Sequence, residues 1–441
     1  MSSSVEISPA PPVPQWAAQP DAASFDGQTE AWANLRRKGY AAFSRHGFPT
    51  TRMEAWRNTS LAHLIDIDFQ LAGGDHNITQ AQLKPYLLPD GPVAVLVDGI
   101  FSPELSATGG LPAGMTLSSL ASALQAGDTS ALAQLDDEQA LDEYPFSALN
   151  LAHLRDGVWL NLQPGTQFEG VAQILVISTG SRPTVSFPRL LITVGENTQL
   201  TVLERYIHLG ESPSLTIPET DILCQQSAVV EHLRLHDENG AGDHIGSVRA
   251  VLRRDSHLRS IDISTGRRLI RNDIQGRLAE AGAALEMSGL YLVDGSGHVD
   301  NHTRLDHIAP HTTSAQNYKG ILTDTARGVF TGRVVVHPEA QKTVARQTNR
   351  NLMLSDKARV HTDPQLEIFA NDVKCNHGST VGQIDRDALF YFSTRGIDEE
   401  TARRLLIHGF THEVVATLRN AALRDCAESA IDGWLETAGL A

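Results

Sequence analysis

The chain has 441 residues, a formal net charge of −16 and a hydrophobic content of 41%. That much apolar material supports a packed core and excludes general disorder, and the length admits several domains or one extended architecture with appendages. The acidic balance argues against nucleic acid and anionic membrane as partners, because both reward a basic surface.

Residues 1–25 are rich in Ser, Pro and Ala and lack periodicity, which predicts a flexible tail. The first basic residue is Arg36, so neither a signal peptide nor an Arg-rich transit peptide is expected. No apolar run approaches the ~20 residues needed to span a bilayer. Residues 26–150 read as an N-terminal helical or α+β region. A helix is predicted from Gln28, with Trp32, Leu35 and Phe43 as its apolar stripe and a stop at Gly47-Phe48-Pro49. Val93 to Val97 reads as a strand.

Over 151–383 the texture changes to short alternating strands separated by small polar turns. "ENTQLTVLERY" from Glu196, "RRDSHLRSIDIST" from Arg253 and "TDTARGVFTGRVVVH" from Thr323 are examples. The turns recur about every thirty residues, a solenoid spacing. A coil with one apolar face cannot bury it alone, so stacking on a shared core predicts a parallel β-helix. A β-sandwich is the competing arrangement. Over 384–441 helices return. Asp398 is a predicted N-cap, followed by a stripe of Ala402, Leu405, Leu406, Phe410, Val414 and Leu418. A second helix places Leu423, Cys426, Ile431, Trp434 and Leu435 on one face, making Cys426 a core thiol.

Three cysteines, Cys224, Cys375 and Cys426, are too few and too scattered for a disulfide framework and point to a reducing compartment, hence the cytoplasm. Cys375 and His377 stand two apart in "DVKCNHGSTVGQ", so in an extended strand both project to one face. An iron–sulfur cluster wants about four ligands, mostly thiolates. Cys224 and Cys426 sit in apolar patterns elsewhere, so ligands missing from such a site must come from another chain. The alternative is that Cys375 is wall and His377 a solvated imidazole. A catalytic Cys–His pair is disfavoured, because a strand aims both groups in parallel.

"GHVDNHTRLDHIAPH" gathers His298, His302, His307 and His311. His298, Asp300 and His302 share a strand face and suit zinc, which makes a β-helical zinc-dependent enzyme the alternative function. The competing reading is a polar ladder on the outside of stacked coils, and no Glu of the His-Glu-x-x-His kind is present as a general base. Aromatic residues make up 6% of the chain, too few for a sugar-stacking groove. No G-x-x-x-x-G-K-[ST] motif occurs, so any ATP dependence must come from a partner.

"GFPTTRMEAWRNTSL" (47–61), "NHTRLDHIAPHTTSAQNYKGIL" (301–322), "VKCNHGSTVG" (373–382) and "LFYFSTRGIDEETARRLLIHGF" (389–410) resemble the SufB/SufD family, scaffold subunits of the SUF iron–sulfur cluster assembly system. Cys375-Asn376-His377-Gly378 is similar to the SufD form; the SufB form usually carries His-Glu there. The resemblance covers roughly 145–420 well and the N-terminal third more loosely. It implies a right-handed parallel β-helix between helical ends, a complex with SufB and the ATPase SufC, and no independent enzymatic activity. It further implies a transient cluster at the SufB interface, with Cys375 and His377 as this chain's half of the site and nothing tightly bound by the isolated chain. The residues say nothing for or against a flavin. Phe390, Tyr391, Arg395, Gly396, Leu405 and Phe410 are the implied SufC-docking residues. An open solenoid end exposes strand edges and apolar core, so a homodimer is expected when SufB is missing.

Overall fold

Each strand of the repeat stacks on its equivalent one coil away. A computed structural model describes residues 13–440 other than Asp75, Ser181 and Asn239. One sheet runs through Gly157–Leu162, Arg189–Val194, Glu219–Cys224, Gly242–Leu252, Leu269–Leu278, His298–His307, Arg327–Val336 and Arg359–Ile368. The second runs through Val93–Val97, Val171–Ser178, Gln199–His208, Val229–Asp237, His257–Gly266, Ala284–Val293, Thr313–Leu322, Val344–Met353 and Lys374–Gly382. Pairing along both series is parallel and in register, as in the column Leu200, Val230, Leu258 and Leu285. A β-sandwich would be antiparallel. The chain is therefore mainly β, a two-sheet solenoid flanked by helices. Val93–Val97 already pairs in parallel with Val171–Ser178, so the solenoid takes one strand from the N-terminal region.

The corners explain the spacing. Asn197, Ser227, Asp255, Gly282, His311 and Lys342 all have positive φ and stand between a strand of the first sheet and the next of the second. There the amide can turn along the solenoid axis. Asn197 donates to the Gln226 carbonyl (3.0 Å), Ser227 to Arg254 (2.9 Å), Asp255 to Ala281 (3.1 Å) and His311 to Gln341 (2.9 Å). The corners thus form a ladder of their own, which satisfies backbone groups that would otherwise be orphaned.

Except at the last coil, whose strands Arg359–Ile368 and Lys374–Gly382 bury no residue fully, the sheets are largely buried on both faces. Val158, Ile192, Val230, Leu258 and Phe330 line the interior. Leu191, Leu215, Ile217, Ile245 and Leu269, on the outside of the first sheet, lie under the N-terminal region. Leu203, Leu233, Leu235, Ile261, Ile263 and Leu290, on the outside of the second, lie under the C-terminal helices Glu399–Val415 and Ala421–Thr437. The one-faced coil expected from the sequence is corrected accordingly: Leu258 faces in, whereas Ile261 and Ile263 face out beneath helices.

At the N-terminus, residues 1–12 of the expected tail lie outside the described residues. From residue 13 onward the expectation is corrected. Trp16 is buried, its ring edge-on to Phe48 (5.8 Å) and Phe69 (6.2 Å), with Nε1 donating to the Leu64 carbonyl. Arg36, itself buried, stacks on Phe25 at 4.2 Å. An indole that removes this much apolar area from water anchors the segment. The helix Glu30–His46 is capped by the Thr29 side chain and ends at Gly47, whose φ of 69° suits glycine. No helix among the described residues is long and apolar enough to cross a membrane.

Candidate functional site

Cys375 and His377 lie on Lys374–Gly382, the last strand of the second sheet, which among the described residues pairs only with Val344–Met353. The register sets Cys375 beside Ala345, His377 beside Gln347 and Ser379 beside Asn349. Those three neighbours are buried in the solenoid interior, so Cys375, His377 and Ser379 continue an inward-facing column onto its open end. Cys375 packs partly against the interior core, and burial raises its thiol pKa. His377 is exposed. Around this end stand apolar side chains left in water: Phe369 is 61% exposed, Val381 52% and Ile368 42%. The other two thiols are elsewhere. Cys224 is buried in the interior, where burial pushes its pKa up to about 12, and Cys426 is buried on the inner face of the helix Ala421–Thr437.

The residues assigned to docking separate into two groups. The helix Arg386–Thr394 buries none of its side chains, and Phe390 and Tyr391 are 71% and 58% exposed. Arg395 stacks over the Tyr391 ring at 5.2 Å and donates to its hydroxyl (3.1 Å), while Gly396 follows with φ 80°. Leu405 is exposed too, which corrects its place in the buried stripe; Ile407 faces the sheet instead. Phe410 belongs to the other group. It packs against the cluster beneath the helices, its ring lies 4.5 Å from the Lys319 ammonium, and its carbonyl accepts from Lys319 Nζ at 2.8 Å. Phe410 anchors this helix to the solenoid and is withdrawn from the docking set.

The histidine run does not assemble a zinc site. His298 and His302 point outward on the first sheet, as in a ladder, but under the N-terminal region, whereas His307 points into the solenoid beside Leu278 and Val336. Asp300 is buried and salt-bridged to Arg271 (2.7 Å), accepts from Thr59, and lies 3.1 Å from His302 Nε2. His298 Nε2 is 2.9 Å from Thr59 Oγ1. His307 is buried, with Thr312 and Ser314 hydroxyls at 2.8 Å on its two ring nitrogens, and His311 is a corner residue. Arg271 is in turn covered by Trp56, 4.0 Å away. Thus "EAWRNTSL" is the segment that closes over this buried ion pair.

One group was missed by sequence reasoning. His232, Arg234 and His236 face the solenoid interior together with Glu204, Tyr206, His244 and Asp262, all buried. Glu204 accepts from Tyr206 Oη (2.6 Å) and Thr220 Oγ1 (3.0 Å) and sits 3.1 Å from His232 Nε2. Burial opposes its charge, but His232, Arg234 and Tyr206 outweigh it and hold the carboxyl at about 2. The available signal was the alternation itself: "HLRLH" places His232, Arg234 and His236 on the face opposite Leu233 and Leu235.

Comparison with known proteins matches residues 176–410 to a family described as the SUF system FeS cluster assembly, SufBD core domain, and residues 21–174 to the SufBD protein N-terminal region. A SufBD family iron–sulfur cluster assembly protein of Synechocystis sp. is 32% identical over 387 residues, covering 85% of each chain. The iron–sulfur cluster assembly protein SufD of Escherichia coli is 30% identical over 391 residues, covering 86% of this chain and 88% of its own. SufD of Bacillus subtilis is 28% identical over 292 residues, covering 64% and 65%.

Proposed function

The chain belongs to the SufBD family and takes part in iron–sulfur cluster assembly; from that premise we propose that it is a non-enzymatic scaffold subunit, working with a SufB-type sister and a SufC-type ATPase. The nascent cluster, which is cargo and not a resident cofactor, forms where this chain meets the sister. The observation that carries the reading is the column of Cys375 and His377 on the last strand, facing inward at an end that no further coil covers among the described residues. Its apolar rim of Ile368, Phe369 and Val381 favours burial against a related surface.

Cys375 and His377 supply at most two ligands, and a cluster wants about four. The sister supplies the others. Because burial favours the neutral Cys375 thiol, ligation must draw the proton off, so binding releases a proton. A histidine beside partner thiolates makes a more labile site than thiolates alone, which suits a scaffold that hands its product on. Phe390, Tyr391, Arg395, Gly396 and Leu405 form the surface for the ATPase, a reading supported by the exposure of both aromatics and of Leu405.

The test is anaerobic reconstitution of the three-subunit complex. His377→Ala should leave complex formation intact and lower cluster yield, and Cys375→Ala should have an equal or smaller effect. Wild-type assembly rates in both variants and in the double variant would make this strand mere wall.

A further inference from the structure

A second constellation lies deep in the solenoid, separated from Cys375 and His377 by four strands of the second sheet. Strand Val229–Asp237 turns His236 inward, Glu238 follows at its end, and strand Gly242–Leu252 brings His244 back across from the first sheet. All three side chains are essentially inaccessible, and one donor atom from each lies within 4.8 Å of the other two. We propose that His236, Glu238 and His244 form a binding site for one divalent first-row transition cation, of the zinc or ferrous class.

The hydrogen bonds give His236 the preparation a metal ligand needs. Its Nε2 donates to Asp262 Oδ2 at 3.0 Å, which leaves Nδ1 as the lone-pair nitrogen, and Nδ1 has no hydrogen-bond partner. A carboxylate behind an imidazole orients a ligating histidine and strengthens its free nitrogen as a donor. That nitrogen is 4.0 Å from Glu238 Oε2, and His244 Nδ1 is 2.8 Å from the same oxygen. Tetrahedral ligation sets donors roughly 3.4 Å apart, so one separation must close and the other open by about the same small amount. Thr216 Oγ1 donates to the second oxygen of Glu238 at 3.0 Å and holds it in place. Two imidazoles and a carboxylate suit zinc or ferrous iron; magnesium and calcium take oxygen donors.

The surrounding charge favours a cation. Three buried carboxylates, Glu204, Glu238 and Asp262, belong to this cluster, and its guanidinium, Arg234, lies against Glu204 and Asp262 but makes no ion pair with Glu238. Surplus negative charge in a low-dielectric interior is costly unless it is compensated. Ligation has one local requirement. Arg234 Nη2 now donates to His244 Nε2 at 3.0 Å, and His244 Nδ1 donates to Glu238. On binding, the His244 proton moves from Nδ1 to Nε2, and Arg234 turns towards Glu204 and Asp262, whose oxygens lie 3.4 and 3.5 Å from its Nε and Nη1. The number of protons on the three ligands is unchanged.

The experiment uses the full chain carrying Cys375→Ala and His377→Ala, which silences the open-end pair. It is titrated anaerobically with Co2+, Zn2+ and Fe2+, both as the folded chain and after refolding in the presence of each metal. The expected result is one equivalent bound, a tetrahedral Co2+ absorption band, and at least tenfold weaker binding after Glu238→Gln or His236→Gln. X-ray absorption of the zinc-loaded chain should show two imidazole nitrogens per zinc, a readout that stands even if a buried variant fails to fold. No stoichiometric metal under either condition, unchanged affinity in folded variants, or a first shell of sulfur or of oxygen alone overturns the site.

Discussion

His153 and His307 are both held neutral by burial, each pushed down to about 4. Their unfolded value is 6.5. Between these values the unfolded chain binds protons that the native chain refuses, so stability falls as pH drops from about 6.5 to about 4 and is unaffected above. Each histidine accounts for a loss on the order of 3 kcal/mol across that window. Glu204, held at about 2 against an unfolded 4.5, adds a further loss only below about 4.5, where the unfolded carboxylate begins to protonate first. Urea midpoints should therefore decline from near pH 6.5 downward, and His307→Gln should remove about one proton from the slope. A flat profile from pH 7 to 4 would contradict the assignment. Gly289 shows close packing at the same scale: a Cβ there would lie 2.2 Å from the Tyr318 ring. Gly289→Ala should destabilise the chain by about 1–3 kcal/mol through overpacking, measured by denaturant unfolding.

The C-terminal helices divide into a holding part and a presenting part. Trp434 is buried against the second sheet and donates from Nε1 to Asp294 (3.3 Å), so Trp434→Ala should cost about 3–5 kcal/mol. The double change Phe390→Ala/Tyr391→Ala touches nothing buried and should alter stability by no more than about 0.5 kcal/mol. It should nonetheless weaken capture of the ATPase in a pull-down, and undiminished capture would count against this helix as the docking element. The helical stripes were legible because 3.6-residue periodicity names a face; Leu423, Cys426, Ile431, Trp434 and Leu435 all face inward. The strands were less so. Period-2 alternation does not say which face is the core when helices cover the other, and a shift of one residue exchanges the two. Leu233 and Leu235 satisfy the pattern from outside, which hid His232, Arg234 and His236 inside.

For the whole molecule, the thirty-residue spacing of the turns favoured a solenoid but left a β-sandwich as its competitor; the parallel, in-register pairing decides between them. The closing of the N-terminal segment over Arg271 was not legible, since the contact of Thr59 with Asp300 spans most of the solenoid in sequence. The open end carries both a practical and a functional consequence. Lys374–Gly382 has a free edge beside Phe369 and Val381, so the isolated chain should self-associate at micromolar concentration through this end. Light scattering should report a dimer, and Phe369→Lys/Val381→Lys should return it to monomer. A wild-type chain that is monomeric throughout would remove the support for an interface here.

The cluster assignment is tested most directly by pulsed electron paramagnetic resonance on the reconstituted three-subunit complex, with 15N-histidine incorporated into this chain alone. The cluster, reduced to its paramagnetic state, should couple to one 15N nucleus, and the coupling should vanish in His377→Ala. A fully formed cluster with no 15N coupling in the wild-type complex, or with coupling unchanged in His377→Ala, would contradict the placement of the site on this strand.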